Sequence, residues 1–279
     1  MAAMESDPDE AMTREELQAT ESPIRATDAF SKLMASSRQH NPVPRPQSSR
    51  AAGNFFKDRM ALGAYIADPA SHPPSTVIYF NDDFVAIHDK FPKATIHTLL
   101  LPRSQRHALL HPFDAFEDAE FLAKVQAEVA KLKALVASEL QRKLGSFSRA
   151  DAARQAILNG EDANLDGPGL LPPGRDWAAE VKCGVHAVPS MGHLHIHVFS
   201  RDMRSPAMKH RKHYNSFNTP FLVDVGDLPL GELDPRRDTK GEGYLRKDFK
   251  CWRCGRNFGN RFKELKDHIE QEFDAWRKE

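Results

Sequence analysis

The chain has little cysteine, no net charge and no long apolar run. Three cysteines in 279 residues are too few for a disulfide framework, and two of them form a Cys-x-x-Cys pair. Such usage fits a reducing compartment. No apolar stretch reaches the roughly 18 residues of a membrane span, and the N-terminus lacks the order of a secretory signal. A soluble intracellular protein with no membrane partner is expected. Lys plus Arg and Asp plus Glu both number 39, so the whole chain is no polycation. The balance is uneven, however. Residues 1–28 hold eight acids against Arg14 and Arg25, leaving 37 basic and 31 acidic residues in the rest. A moderately basic body suits a polyanionic partner.

What is present divides the chain in three. Residues 1–50, acidic and then Pro-rich, read as a disordered tail. Residues 51–225 carry mixed α and β signals and form the expected catalytic domain, with a Gly/Pro-rich insertion at about 146–176. Residues 226–279 read as a linker and a small metal-binding module. Helices are expected at 54–66, 113–144, 150–158 and 260–276, from apolar residues at helical spacing. Strands are expected at 76–80 and 84–88 around the turn Asn81-Asp82-Asp83, and at 95–101 and 177–188. The fold class is α+β.

The most informative stretch is His186-Ala-Val-Pro-Ser-Met-Gly-His193-Leu-His195-Ile-His197-Val-Phe-Ser200. Three histidines alternate with Leu194 and Ile196, so one strand would place all three imidazoles on one face. Such a face supplies a nucleophile and neighbours that orient it, or binds a metal. Alternate side chains on one strand stand about 6 to 7 Å apart, wide for one zinc held at about 2 Å per ligand. Nucleophilic catalysis without a catalytic cofactor is favoured.

The second signal is Cys251-Trp-Arg-Cys254, thirteen residues, then His268 and Glu272. Phe258 and Leu265 sit where a two-Cys, two-His finger keeps its small core. No histidine follows His268 at the usual distance. Glu272 lies one helical turn on, and carboxylate is an acceptable zinc ligand, so one structural zinc held by Cys251, Cys254, His268 and Glu272 is expected. The alternative is a surface Glu272, with water or another group completing the site. Arg256, Arg261 and Lys263, with Lys266 nearby, favour phosphate contact over base reading.

His-x-His-x-His followed by two apolar residues and Ser200 resembles the active-site strand of the histidine triad hydrolases. His88-Asp89-Lys-Phe-Pro92-Lys93-Ala-Thr-Ile-His97 resembles that family's nucleotide-pocket segment. Ser205-Pro-Ala-Met-Lys209-His-Arg211-Lys212-His213-Tyr214-Asn-Ser-Phe-Asn-Thr219, together with the finger, resembles the aprataxins of fungal type, DNA-repair deadenylases within that superfamily. The resemblance implies a histidine triad domain, an antiparallel sheet with flanking helices, and His195 as nucleophile. It implies His197 on the phosphate, and His193, with a neighbouring carbonyl, positioning the face. Asp89 would bind ribose, with His97 near the phosphate and Lys93 near DNA. Ser200 and Lys212 are the expected donors to phosphate oxygens, and Gly192 would let backbone approach a phosphate. Phe55, Phe56 or Tyr65 would stack on a base at a DNA end, and Lys209 and Arg211 would contact DNA. The implied substrate is nicked or end-adenylated double-stranded DNA, RNA–DNA junctions included, with AMP as product. A nuclear monomer follows. A general nucleotide phosphoramidase or dinucleoside polyphosphate hydrolase, or a non-catalytic DNA-end adaptor, is the alternative.

Overall fold

A computed structural model describes residues 59–160, 171–238 and 242–279. The acidic tail, Phe55 and Phe56 lie outside the described residues. Of the first expected helix, the described part is α1 (Gly63–Ala67), entered through a turn in which Gly63 N–H donates to Met60 O.

Six antiparallel strands form one sheet: β1 (Val77–Phe80), β2 (Phe84–His88), β3 (His97–Pro102), β4 (Val181–His186), β5 (Ile196–Ser200) and β6 (Leu222–Asp224). Their spatial order is β1-β2-β3-β5-β4-β6. Asn81 closes the first hairpin as expected, its Oδ1 accepting from Asp83 N–H and Phe84 N–H. Strand alternation sorts the faces. Ile196 and Val198 of β5 and Val181, Cys183 and Val185 of β4 join the main core. His197 and Phe199 point the other way, against His97 and Phe217. The strand expected at 177–188 is shorter, because residues 177–180 are wound into turns.

The core face is covered by a long helix, and here the expected 113–144 helix is two. The short α2 (Pro112–Ala115) stops at Phe116, and α3 (Ala119–Leu144) begins afresh because the Asp118 carboxylate accepts from Phe121 N–H as an N-cap. Leu122, Val125, Val129, Leu132, Val136 and Leu140 form its buried stripe. Each such side chain contributes about 1.5 to 3 kcal/mol of burial. α4 (Arg149–Leu158) follows within the insertion, as expected.

α5 (Arg211–Asn218), not foreseen as a helix, crosses the histidine face of the sheet and buries His213, Tyr214 and Phe217. The finger follows: β7 (Phe249–Lys250), β8 (Asn257–Gly259) and α6 (Phe262–Trp276). It does not hang from a linker. Phe249, Phe258, Leu265 and Ile269 share a cluster with Phe199, Tyr214 and Phe217, while Phe273 and Trp276 join the main core. The Tyr214 hydroxyl donates to Lys250 O at 2.8 Å and accepts from Trp252 N–H at 2.9 Å. One phenol thus satisfies two backbone groups of the finger from inside the triad domain. Among the described residues no helix is long and apolar enough to cross a membrane.

Candidate active site and metal centre

The three alternating histidines do not share one strand. β5 begins only at Ile196, and His193 and His195 lie in the run before it. His195 and His197 stay together, ring centroids 5.0 Å apart. The His193 ring turns instead against Gly63, where an added Cβ would come within 2.8 Å of it. What His193 contributes to the cluster is its carbonyl, 2.8 Å from His195 Nδ1. Two further imidazoles arrive from the neighbouring strands. His97 of β3 stands 5.1 Å and His186 of β4 stands 4.5 Å from the His197 ring. Phe217 of α5 lies edge-on to His97 and His197 at 5.2 and 5.0 Å.

The hydrogen bonds assign every proton that matters. Lys93 N–H donates to His97 Nδ1 at 3.0 Å, so His97 carries its proton on Nε2. That proton points to His197 Nδ1 at 3.0 Å, leaving the second proton of the chain on His197 Nε2. His197 Nε2 is buried and has no hydrogen-bond partner among the described residues. On His195 the bond from Nδ1–H to the His193 carbonyl leaves the lone pair on Nε2. The cluster therefore offers one nucleophilic nitrogen beside one N–H donor.

Burial keeps these rings neutral. It pulls His97 from the usual value of about 6.5 to about 4, Asp89 opposing and the Lys93 and His195 charges reinforcing. His186 and His197 lie well below the ordinary value, first through burial and then through mutual repulsion with the other histidines and Lys93. His195 is lowered by burial, with the His193 carbonyl and Asp89 pushing back.

His195, His197 and Asp89 open onto a cavity of about 320 Å³. Its walls are mostly apolar, with Leu62, Ile87, Leu99 and Met191 among them, and Tyr65 meets His72 with tilted rings at 4.6 Å on one side. Asp89 Oδ1 accepts from Phe91 N–H, while Oδ2 faces His97 Nε2 at 3.5 Å. Asp89, His97 and His197 are close enough to hold a metal. Their chemistry opposes it. A ligating His97 Nε2 would need Nδ1 to be a donor, and Nδ1 already accepts from Lys93 N–H.

Several expected roles change. Ser200 points away from the imidazoles by strand alternation, donates to Asp202 Oδ1 at 2.5 Å and accepts from Ile96 N–H at 3.0 Å. It is fully buried and has no path to a phosphate. Gly192 is needed for packing: its Cβ would stand 2.7 Å from Met60 Sδ, and its N–H donates to Arg59 O. Its backbone is therefore not open to a phosphate. Arg211 is committed to the protein, hydrogen-bonding Arg246 O, Lys247 O and Asn260 and lying over Phe249. Lys93 is buried beside the histidines, while Lys209 is exposed and Lys212 half-exposed on the first turn of α5. Tyr65 borders the cavity. Arg256, Arg261 and Lys263 are exposed on the finger, Arg261 beside Glu264. His186 was missed as a site residue, since only the sheet order brings it in.

In the finger the ligand atoms of Cys251, Cys254 and His268 lie within 4.8 Å of one another, and Cys254 Sγ is 3.2 Å from His268 Nε2. Glu272 Oε1 is 3.4 Å from His268 Nε2, and its other oxygen meets Arg253. Two donors bound tetrahedrally to one zinc stand about 3.3 to 3.8 Å apart. These spacings and this soft-plus-borderline donor set fit that ion.

Known proteins agree with both parts. The HIT domain family matches residues 70–204, and the C2HE / C2H2 / C2HC zinc-binding finger family matches residues 218–275. The Aprataxin-like protein of Schizosaccharomyces pombe is 33% identical over 252 residues, covering 90% of this chain and 95% of that one. This chain belongs to the aprataxin-like family. It is a histidine triad hydrolase carrying a structural zinc finger. Aprataxin of Danio rerio is 30% identical, covering 80% of this chain and 55% of the relative. The solved aprataxin ortholog Hnt3 in complex with DNA superposes with a TM-score of 0.62 at 32% identity, covering 78% of this chain and 96% of that one. Hnt3 in complex with DNA and guanosine gives 0.58 at 30%, covering 78% and 96%.

Proposed function

We propose that this aprataxin-like protein removes AMP from 5′-adenylated DNA ends left by abortive ligation. The observation that carries the reading is the proton arrangement: a lone pair on His195 Nε2 and an N–H on His197 Nε2, in two residues that line a nucleoside-sized cavity. His195 Nε2 attacks the AMP phosphorus, the P–N bond forms, and the P–O bond to the DNA 5′-phosphate breaks. His197 Nε2–H donates to the phosphoryl oxygens, where charge gathers in the transition state. Water then attacks phosphorus, losing its proton to solvent, and His195 leaves as neutral imidazole because Nδ1–H stays bonded to the His193 carbonyl. One difficult displacement becomes two easier ones. Asp89 Oδ2 accepts from ribose hydroxyls, Lys93 adds positive charge behind the phosphate site, and Lys212 supplies a further donor.

Solved relatives hold DNA, and the exposed Lys209, Arg256, Arg261 and Lys263 offer this chain basic side chains for the flanking duplex. Zinc, held by Cys251, Cys254, His268 and Glu272, supplies structure to the finger and no chemistry to the reaction. Related nucleotide caps, and adenylated RNA–DNA junctions, offer the same phosphoanhydride. The substrate assigns the protein to the nucleus, acting as a monomer. The test is AMP release from a nicked duplex with a 5′-adenylated end, wild type against His195→Ala, with an adenosine phosphoramidate as the small comparison substrate. Salt-sensitive release on DNA, abolished by the substitution, is expected. Efficient phosphoramidate cleavage with no action on DNA would instead establish a general nucleotide hydrolase.

A further inference from the structure

The insertion at 146–176 has no place in the chemistry above, and α4 buries none of its own side chains. Its described residues turn instead to the far end of the finger helix. Arg149 N–H and Ala150 N–H donate to Lys278 O and Glu279 O. Asp151 takes Arg175 N–H on one oxygen at 2.9 Å and Trp177 Nε1–H on the other at 2.7 Å. Gly174, at φ +73°, makes the bend that brings Arg175 inward.

Arg175 is the centre of this arrangement. Its guanidinium lies between two indoles, 4.4 Å from the Trp177 ring and 4.8 Å from the Trp276 ring. It donates to Trp276 O at 2.7 Å and to Glu180 Oε1 at 3.1 Å. Trp276 Nε1–H donates to the other Glu180 oxygen at 2.7 Å. The Arg175 side chain is 6% exposed, so these contacts act with little water to weaken them. Trp276 is the last residue of α6, the helix that also carries Lys263, His268 and Glu272.

We propose that Arg175 is a positioning residue: by clasping Trp276 it fixes the finger relative to the triad cavity, so that one rigid surface meets the DNA. The inference rests on the DNA-end reading above. A finger held in one orientation contributes to binding without an ordering penalty, whereas a swinging one acts as a second, tethered site. The clasp therefore acts on DNA affinity and leaves the imidazole cluster untouched.

The experiment uses the full, zinc-loaded chain and compares wild type, Arg175→Leu and Trp276→Phe. The last keeps a ring beside the guanidinium, loses the indole donor to Glu180 and gives up part of the indole's buried packing. Four quantities are read: KM on adenylated nicked duplex, kcat/KM on the phosphoramidate, zinc content, and amide hydrogen exchange across residues 262–276. For Arg175→Leu we expect KM on DNA to rise about tenfold at 0.15 M salt, because binding then takes on the cost of ordering the finger. Phosphoramidate kcat/KM should stay within about twofold, zinc should be retained, and exchange in α6 should rise. Trp276→Phe should move the same way by less, and it decides the matter if Arg175→Leu does not fold. Unchanged KM on DNA, or a parallel loss on both substrates, overturns the proposal. If wild type fails to act on adenylated DNA, the functional reading falls by itself. The clasp is then judged by hydrogen exchange, and unaltered exchange in α6 overturns it.

Discussion

Acidification should destabilise this protein through its buried imidazoles, and His97 allows the size to be worked out. In the unfolded chain it titrates near 6.5; folded, burial holds it at about 4. The folded form thus binds fewer protons than the unfolded form between those values. Stability contributed by this group is complete above about pH 6.5 and is lost as pH falls toward 4. Between pH 7.5 and 5 the loss from His97 alone comes to about 2 kcal/mol, at 1.36 kcal/mol per pKa unit. His186, His195 and His197 shift in the same direction and add to it. Zinc ligands also take up protons in acid, so the comparison must be with a variant that keeps the finger. His97→Asn serves, because its amide oxygen can occupy the place of Nδ1 and accept from Lys93 N–H. Urea unfolding of both proteins at the two pH values isolates the term. Wild type should lose about 2 kcal/mol more than His97→Asn on going to pH 5. Parallel losses would refute the argument and mean that His97 is charged or water-exposed when folded.

Other substitutions test the remaining assignments. Ser200→Ala should lower stability by about 1 to 3 kcal/mol, because buried Asp202 loses a donor; turnover of the folded variant should change little, and a loss of kcat without destabilisation would restore Ser200 to the chemistry. Tyr214→Phe leaves Lys250 C=O and Trp252 N–H unpaired inside the protein, so denaturant titration should show roughly 2 to 4 kcal/mol lost and zinc released earlier. Gly192→Ala must displace the Met60 sulfur, a flexible group, so a fall of about 1 to 2 kcal/mol with KM for nucleotide little altered is expected; a large rise in KM alone would mean that the backbone does approach a phosphate.

The elements most legible in the sequence were those whose reasons are local. The Asn81 turn, the α3 stripe and the Cys-x-x-Cys with Phe258 and Leu265 each rest on spacing within a few residues. The break before α3 was missed because it hangs on one capping carboxylate, Asp118, inside an otherwise continuous helical period. Helix α5 was hidden by its composition, polar and basic except at Tyr214 and Phe217, where burial against the finger and the sheet determines the structure.

The same division runs through the active site. The motif around His195 pointed to imidazole chemistry, because three such residues at that spacing give up the burial that Val or Ile would supply. The Cys251 to Glu272 spacing likewise pointed to a metal finger. The sequence could not say which imidazoles meet. Sheet order sets β3 and β4 on either side of β5, and so replaces His193 by His97 and His186 in the cluster. Nor could it say that Ser200 and Arg211 are already occupied, since the Ile96 N–H that Ser200 accepts from lies 104 positions away and the partners of Arg211 at least 35. Proton placement was decided last and farthest from the motif. A backbone N–H at Lys93 fixes the tautomer of His97 and, through it, which nitrogen of His197 carries the proton. Hydrogen bonds between distant segments exist only once the sheet has formed, which is why the histidine motif was written in the sequence and its proton arrangement only in the fold.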